Sequence, residues 1–165
     1  MGIAIVPISC AISPNPIREE MLKHHTLDAV MSMPPELFQP AAGTVTCIMV
    51  WIAKKPHAET NRQTWFGYWR DDGFVKTKHR GRIDQNHTWP AIRDHWVEMY
   101  RNRQVHAGES VMQAVTADDE WCAEAYMDTD YSALNQEDFE RVVQNYALFK
   151  LFSQSDKEAA DAEGE

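Results

Sequence analysis

Cysteine is scarce and poorly spaced for any bridging role. Cys10, Cys47 and Cys122 are odd in number and no CxxC pair occurs. That argues against a disulfide framework or a zinc ribbon, and a reducing cytoplasm is the expected compartment. Long apolar runs are missing too, which excludes a membrane-spanning helix of about 18 or more apolar residues. The opening stretch Gly2–Ile12 is apolar but carries no basic leader and meets Pro7 and Pro14, so it is not read as a signal peptide. Glycine is limited to seven residues, and none forms a GxGxxG turn for a nucleotide phosphate. GxSxG, HExxH and EF-hand patterns are absent as well. The seven histidines form no pair on a helix face, and no metal site is expected. No acid, base and nucleophile constellation is apparent, so spacing alone does not describe a complete enzyme.

What is present is an ordinary globular composition with uneven charge. The chain has 165 residues, 44% of them hydrophobic, and a net charge of −9. Residues 1–53 carry net −2, residues 54–103 net +5 and residues 104–165 net −12. A locally basic middle inside an acidic chain is either a directed electrostatic surface or a segment that pairs with acidic neighbours in the fold. Gly2–Val6 reads as a buried strand, Ile17–His25 as a helix with Ile17, Met21 and Leu22 on one side, and Thr26–Met33 as a second strand stopped by Pro34-Pro35. Val45–Ala53 is almost continuously apolar, the composition of a strand covered on both faces. Thr64–Arg70, Asp71-Asp72-Gly73 and Phe74–Lys78 read as an aromatic β-hairpin turned by Asp-Gly. A helix is expected over Trp89–Arg103, capped by Thr88, a short strand within Ser110–Thr116 and a short helix within Ala117–Met127. Asn135 caps a final helix, Gln136–Ser153, with an apolar stripe from Phe139 to Phe149, and the acidic Gln154–Glu165 reads as a disordered tail.

One block is informative beyond composition. AVMSMPPELFQPAAGTVTCIMVWIAKKP, followed by TWFGYWRDDGFVKTKHRGRID, resembles the later part of the modification (M) subunit of type I restriction-modification systems, which are S-adenosylmethionine-dependent adenine-specific DNA methyltransferases. GIAIVP is similar to the strand after that family's catalytic loop, and DDEWCAEAYMDTDYSALNQEDFE to a linker-and-helix region further along. The family's cofactor-binding glycine turn and its Asn-Pro-Pro-aromatic catalytic loop do not occur here: Pro34-Pro35 follows Met33, and Asn15-Pro16 precedes Ile17. The resemblance therefore implies a C-terminal fragment, inactive alone, with no catalytic residue and no bound cofactor of its own. It implies an α/β fold: a partial Rossmann-like methyltransferase sheet, its last three strands with the final pair antiparallel, followed by the hairpin and C-terminal helices. The short Pro34–Thr44 connection fits an antiparallel return. Four segments follow: 1–56 for the sheet, 57–106 for the aromatic and basic hairpin with a helix, 107–153 for a helical region and 154–165 for the tail.

The resemblance also implies site residues. Phe38 sits where adenine methyltransferases offer an aromatic ring to the target base. A base leaves the duplex to reach a methyl donor, and the ring replaces its lost stacking, worth about 1–3 kcal/mol. The bland reading is that Phe38 packs beneath its loop. Lys76, Lys78, Arg80 and Arg82 are the expected contacts to the DNA backbone, against the bland reading of solvated charges. Trp65, Phe66, Tyr68 and Trp69 beside them are better explained as core. Expected partners are DNA, the missing N-terminal methyltransferase half and a specificity subunit, with self-association through an open sheet edge. The rival reading is an acidic interaction protein that binds restriction-modification subunits without touching DNA.

Overall fold

The computed structural model describes residues 1–130 and 134–162, with side chains as far as residue 150. Met1–Thr129 form one unit and Asp130–Glu165 a second. The first unit holds seven strands: β1 (Gly2–Pro7), β2 (Thr26–Ser32), β3 (Thr46–Ile52), β4 (Thr64–Tyr68), β5 (Val75–Thr77), β6 (Gly81–Ile83) and β7 (Ser110–Gln113). Five of them build a mixed sheet in the spatial order β1-β3-β2-β4-β7, while β5 and β6 pair on their own. β3 runs antiparallel to both β1 and β2, β4 parallel to β2, and β7 antiparallel to β4. The expected antiparallel return from β2 to β3 is therefore present. The sheet also runs through the boundaries expected near residues 56 and 106, because β4 and β7 are strands of it.

The sheet is covered on two faces, and alternation decides which side chain goes where. Cys47, Met49 and Trp51 of β3 enter one core cluster with Leu27, Phe66, Trp121 and Ala11. Val50 enters the other, with Ala29, Met31, Trp65, Trp69, Trp96 and Met99. Leu27 and Ala29 would share a face in a regular strand. A bulge between them, with Leu27 opposite Trp51 and Ala29 opposite Val50, sends them to opposite sides. The first face carries α1 (Ser9–Ile12) and α2 (Pro16–His24), with Met21 and Leu22 against the core. Ile17, expected beside them, is exposed. Its neighbour Arg18 is buried instead, donating to the carbonyls of Cys10 and Asp119 with its guanidinium 4.6 Å from the Trp121 ring. α3 (Trp89–Asn102) covers the second face, where Trp69 and Trp96 stack 5.1 Å apart and Trp65 Nε1 donates to the Gln104 carbonyl at 2.9 Å.

Four expectations need correction. β1 is a strand, but an edge strand with Ile3 and Ile5 exposed, because only β3 lies beside it. The aromatic hairpin does not form. Trp65 and Phe66 need cover on opposite faces, so β4 lies inside the sheet between β2 and β7. Asp71 and Asp72 instead accept from the backbone N–H groups of Gly73 and Phe74, and Gly73 takes a φ of +74° that favours glycine. The cap of α3 is Asp84, whose carboxylate accepts from the amides of Thr88 and Trp89, while Thr88 itself has helical backbone angles. The Ala117–Met127 segment holds only a single 3₁₀ turn, Ala123–Ala125.

In the second unit, α4 spans Gln136–Ala162. Asn135 caps it as expected: its Oδ1 accepts from the Asp138 amide at 3.1 Å, and Asp138 Oδ2 accepts in return from the Asn135 amide. Phe139, Val142, Val143, Tyr146 and Leu148 are exposed. The segment expected as a disordered tail is helical as far as Ala162, in keeping with its Lys, Glu and Ala content; residues 163–165 lie outside the described residues. No described helix is long and apolar enough to cross a membrane.

Candidate nucleic-acid interface

β2 and β4 are parallel neighbours, with Ser32 opposite Tyr68, so the chain leaves both strands at the same end of the sheet. Ends of this kind are where α/β sheets gather ligand-binding loops. From β2 the chain passes through Met33 and the buried Pro34 into the loop that holds Phe38. Tight turns shape that loop. The Leu37 amide donates to the Pro34 carbonyl, Gln39 to Glu36 and Ala42 to Phe38, at 3.2, 3.1 and 2.9 Å, and the Gln39–Pro40 peptide is cis. Phe38 is 40% exposed.

Beyond β4 the chain folds the separate two-stranded ribbon of β5 and β6, with Lys76 opposite Arg82. Its tip is Lys78-His79-Arg80. Thr77 sets the tip, its hydroxyl donating to the Gly81 carbonyl at 2.9 Å and accepting from the Arg80 amide at 3.1 Å. Gly81 closes the turn with a φ of +69°.

The four basic residues expected at this site have different surroundings. Lys78 and Arg80 are exposed at the tip, and among the described residues neither side chain has an ion pair. Lys76 reaches across to the Phe38 loop, its Nζ 2.6 Å from Gln39 Oε1 and 3.5 Å from Glu36 Oε1. Arg82 points inward. Its Nη2 donates to Asp72 Oδ1 at 2.5 Å, its guanidinium lies 5.6 Å from the Phe74 ring, and the pair is largely buried. Arg82 therefore anchors the ribbon to the body. Glu36, Gln39 and Asp72 were not singled out from sequence, since their roles depend on the ribbon folding back toward the loop.

A second polar cluster braces the base of the loop. Ser32 donates to Glu124 Oε2 at 2.7 Å, and Arg70 grips Glu124 Oε1 at 2.7 and 3.1 Å. Burial pushes the Glu124 carboxyl up, but the bonds from Ser32 and Arg70 outweigh it and hold it below the usual carboxylate range. Arg70 is thereby committed to a protein partner. Trp65, Phe66 and Trp69 are buried, in line with their reading as core. Burial pushes the Cys47 thiol up to about 12 and that of Cys122 up to about 11, so both stay protonated. Among the described residues no three His, Cys, Asp or Glu side chains gather as a metal site.

The comparisons with known proteins bear on this geometry. The family model for N-6 DNA methylases matches residues 12–156. The chain belongs to the N-6 DNA methylase family. A solved chain from a study of complex assembly and conformational transition of the type I R-M system is similar over 99% of this chain and 36% of its own length, at 16% identity and a TM-score of 0.54. The type I restriction-modification system methyltransferase subunit from Streptococcus thermophilus is similar over 68% of this chain and 22% of its own, at 18% identity and a TM-score of 0.50. This N-6 DNA methylase family chain thus spans about a third or less of the solved proteins it resembles. No curated protein matches it.

Proposed function

We propose that this chain is the C-terminal portion of a type I adenine-specific DNA methyltransferase subunit. In the assembled enzyme it supplies the last strands of a Rossmann-like sheet, offers Phe38 to the target adenine and touches the DNA backbone. Family membership supports the chemistry, and the observation that carries the DNA contact is the 2.6 Å bond between Lys76 and Gln39. That bond joins the loop bearing an exposed aromatic ring to a ribbon tipped with Lys78 and Arg80. A base outside the duplex needs a stacking face, and the phosphates beside it need cations within reach.

S-adenosylmethionine is the methyl donor the family implies, and the residues here do not fit it. Among the described residues β1 passes to α1 through Pro7 and Ile8, with no glycine turn between strand and helix. The donor pocket and the reactive loop therefore belong to the rest of the enzyme, and the isolated chain transfers no methyl group. The open edge of β1 and the apolar face of α4 are the surfaces offered to protein partners, the upstream half and a specificity subunit.

The DNA contact is tested by fluorescence anisotropy with a labelled duplex between 50 and 200 mM salt. Binding is expected to weaken with salt. Lys78→Ala with Arg80→Ala together should flatten the slope of log K against log salt by about 0.9 for each phosphate no longer neutralised. A slope unchanged in the double variant, or no salt-dependent binding at all, would refute the backbone role.

A further inference from the structure

We propose that the cleft between the Phe38 loop and the β5–β6 ribbon seats one backbone phosphate of a nucleic acid, and that this phosphate takes Lys76 away from Glu36 and Gln39, unlatching the loop that carries Phe38. The inference rests on the DNA-contact reading and goes further by assigning a ligand and a switch to one cleft.

The cleft measures about 290 Å³, and liquid water occupies about 30 Å³ per molecule, so it is roomy enough for a phosphate group with some of its water. Gln39 and Pro40 form one wall, and Lys76, Lys78, His79 and Arg82 line the other; no carboxylate lines it. Two carboxylates outside the lining each pair with one of its cations: Glu36 with Lys76 and Asp72 with Arg82. Lys78 keeps its charge unshared among the described ion pairs. Arg82 lines the cleft as well, with its guanidinium held by Asp72.

The bonds Lys76 makes are of a kind that a phosphate displaces. One acceptor is a neutral amide oxygen, and the other is a carboxylate at 3.5 Å on a side chain well exposed to water. A phosphate oxygen carries full charge and makes the shorter, stronger charge-assisted bond. The two acceptors flank Phe38 in sequence, at positions 36 and 39. Breaking both bonds removes the ties from the ribbon to the residues on either side of Phe38, so the ring gains freedom to move toward a base while the buried Pro34 holds the start of the loop. Linkage makes the effect reciprocal: a base stacked on Phe38 in the moved loop favours phosphate on Lys76.

The test uses the full chain, ¹⁵N-labelled, titrated separately with inorganic phosphate and with a single-stranded hexanucleotide, while anisotropy follows the labelled hexanucleotide. Both probes should shift the Gln39 side-chain amide, the hexanucleotide at lower concentration. Glu36→Gln removes the competitor and should tighten hexanucleotide binding about two- to fivefold. Lys76→Ala and Lys76→Gln should both weaken it and flatten the salt slope by about 0.7. If the hexanucleotide binds and responds to Lys78→Ala and Arg80→Ala, yet Glu36→Gln and the Lys76 variants leave affinity and slope unchanged, the proposal is overturned and the DNA-contact reading stands. A Gln39 shift with inorganic phosphate alone would assign the cleft to free phosphate and overturn the proposal, while the DNA-contact reading is decided by the duplex titration of the Lys78 and Arg80 variants. Silence with both probes overturns the proposal.

Discussion

Arg82→Ala separates an anchoring cation from a DNA-binding one. The Arg82 side chain is 13% exposed and that of Asp72 7%, and they meet at 2.5 Å. Removing the arginine leaves Asp72 buried with, among the described residues, only the Phe74 amide to serve it. Breaking one partner of a buried pair costs about 3–5 kcal/mol. At 1.4 kcal/mol per tenfold, the ribbon should open at least about a hundredfold more often. The cost falls on β5 and β6, which form a sheet of their own apart from the five-stranded one. Native-state hydrogen exchange reads this directly: the ribbon amides should lose their protection while those of β2, β3 and β4 keep theirs. The neutral pair Arg82→Met with Asp72→Asn should be less disruptive than Arg82→Met alone, because no charge is then left buried without a partner. Lys78→Ala and Arg80→Ala, at exposed positions, should change stability by no more than about 0.5 kcal/mol. If Arg82→Ala left ribbon exchange within a factor of a few of the wild type, the anchoring argument would fail.

Acid stability should show the Glu124 brace. Its carboxyl is held below the ordinary range in the folded chain, so it contributes stability above the unfolded pKa of about 4.3, and that contribution is lost as pH falls through the folded value. Glu124→Gln should therefore shrink the drop in melting temperature between neutral pH and pH 3, and an unchanged acid profile would contradict it. Thiol labelling at pH 8 should modify the exposed Cys10 first and leave Cys47 and Cys122 slow until denaturant is added, as counted by mass spectrometry. Ile3 and Ile5 stand on one face of the open edge strand, opposite Val50 and Ile48. The isolated chain should self-associate, and Ile3→Lys with Ile5→Lys should shift it toward monomer; a monodisperse wild-type monomer by light scattering would count against an open edge.

The parts legible in the sequence were those set by local pattern. β2 and β3 were readable because their apolar runs end at Pro34-Pro35 and Ala53-Lys54, and the helix cap at Asn135 because its partner lies only three residues on. What misled was long-range pairing. Thr64–Arg70 beside Phe74–Lys78 with Asp-Gly between is a sound local hairpin pattern, but a strand flanked by β2 and β7 buries more aromatic surface than a lone hairpin would. At the site, the cationic run Lys76–Arg82 lies in contiguous sequence, whereas the exposure of Phe38 is set by the fold. So are the inward turn of Arg82 and the reach of Lys76, since Asp72 is ten residues from Arg82 and Gln39 is 37 residues from Lys76. Only tertiary structure divides four similar cations into two at the tip, one latch and one anchor.

The central claim is that this chain completes an adenine methyltransferase whose donor pocket lies elsewhere. It is tested most directly by methyl incorporation into duplex DNA from labelled S-adenosylmethionine, with this chain alone, an upstream methylase half alone, and the two combined. The account predicts incorporation only in the mixture, reduced by Phe38→Ala about five- to 150-fold, the range that 1–3 kcal/mol of lost stacking implies. Incorporation by this chain on its own, or by the upstream half with no gain from adding it, would contradict the account.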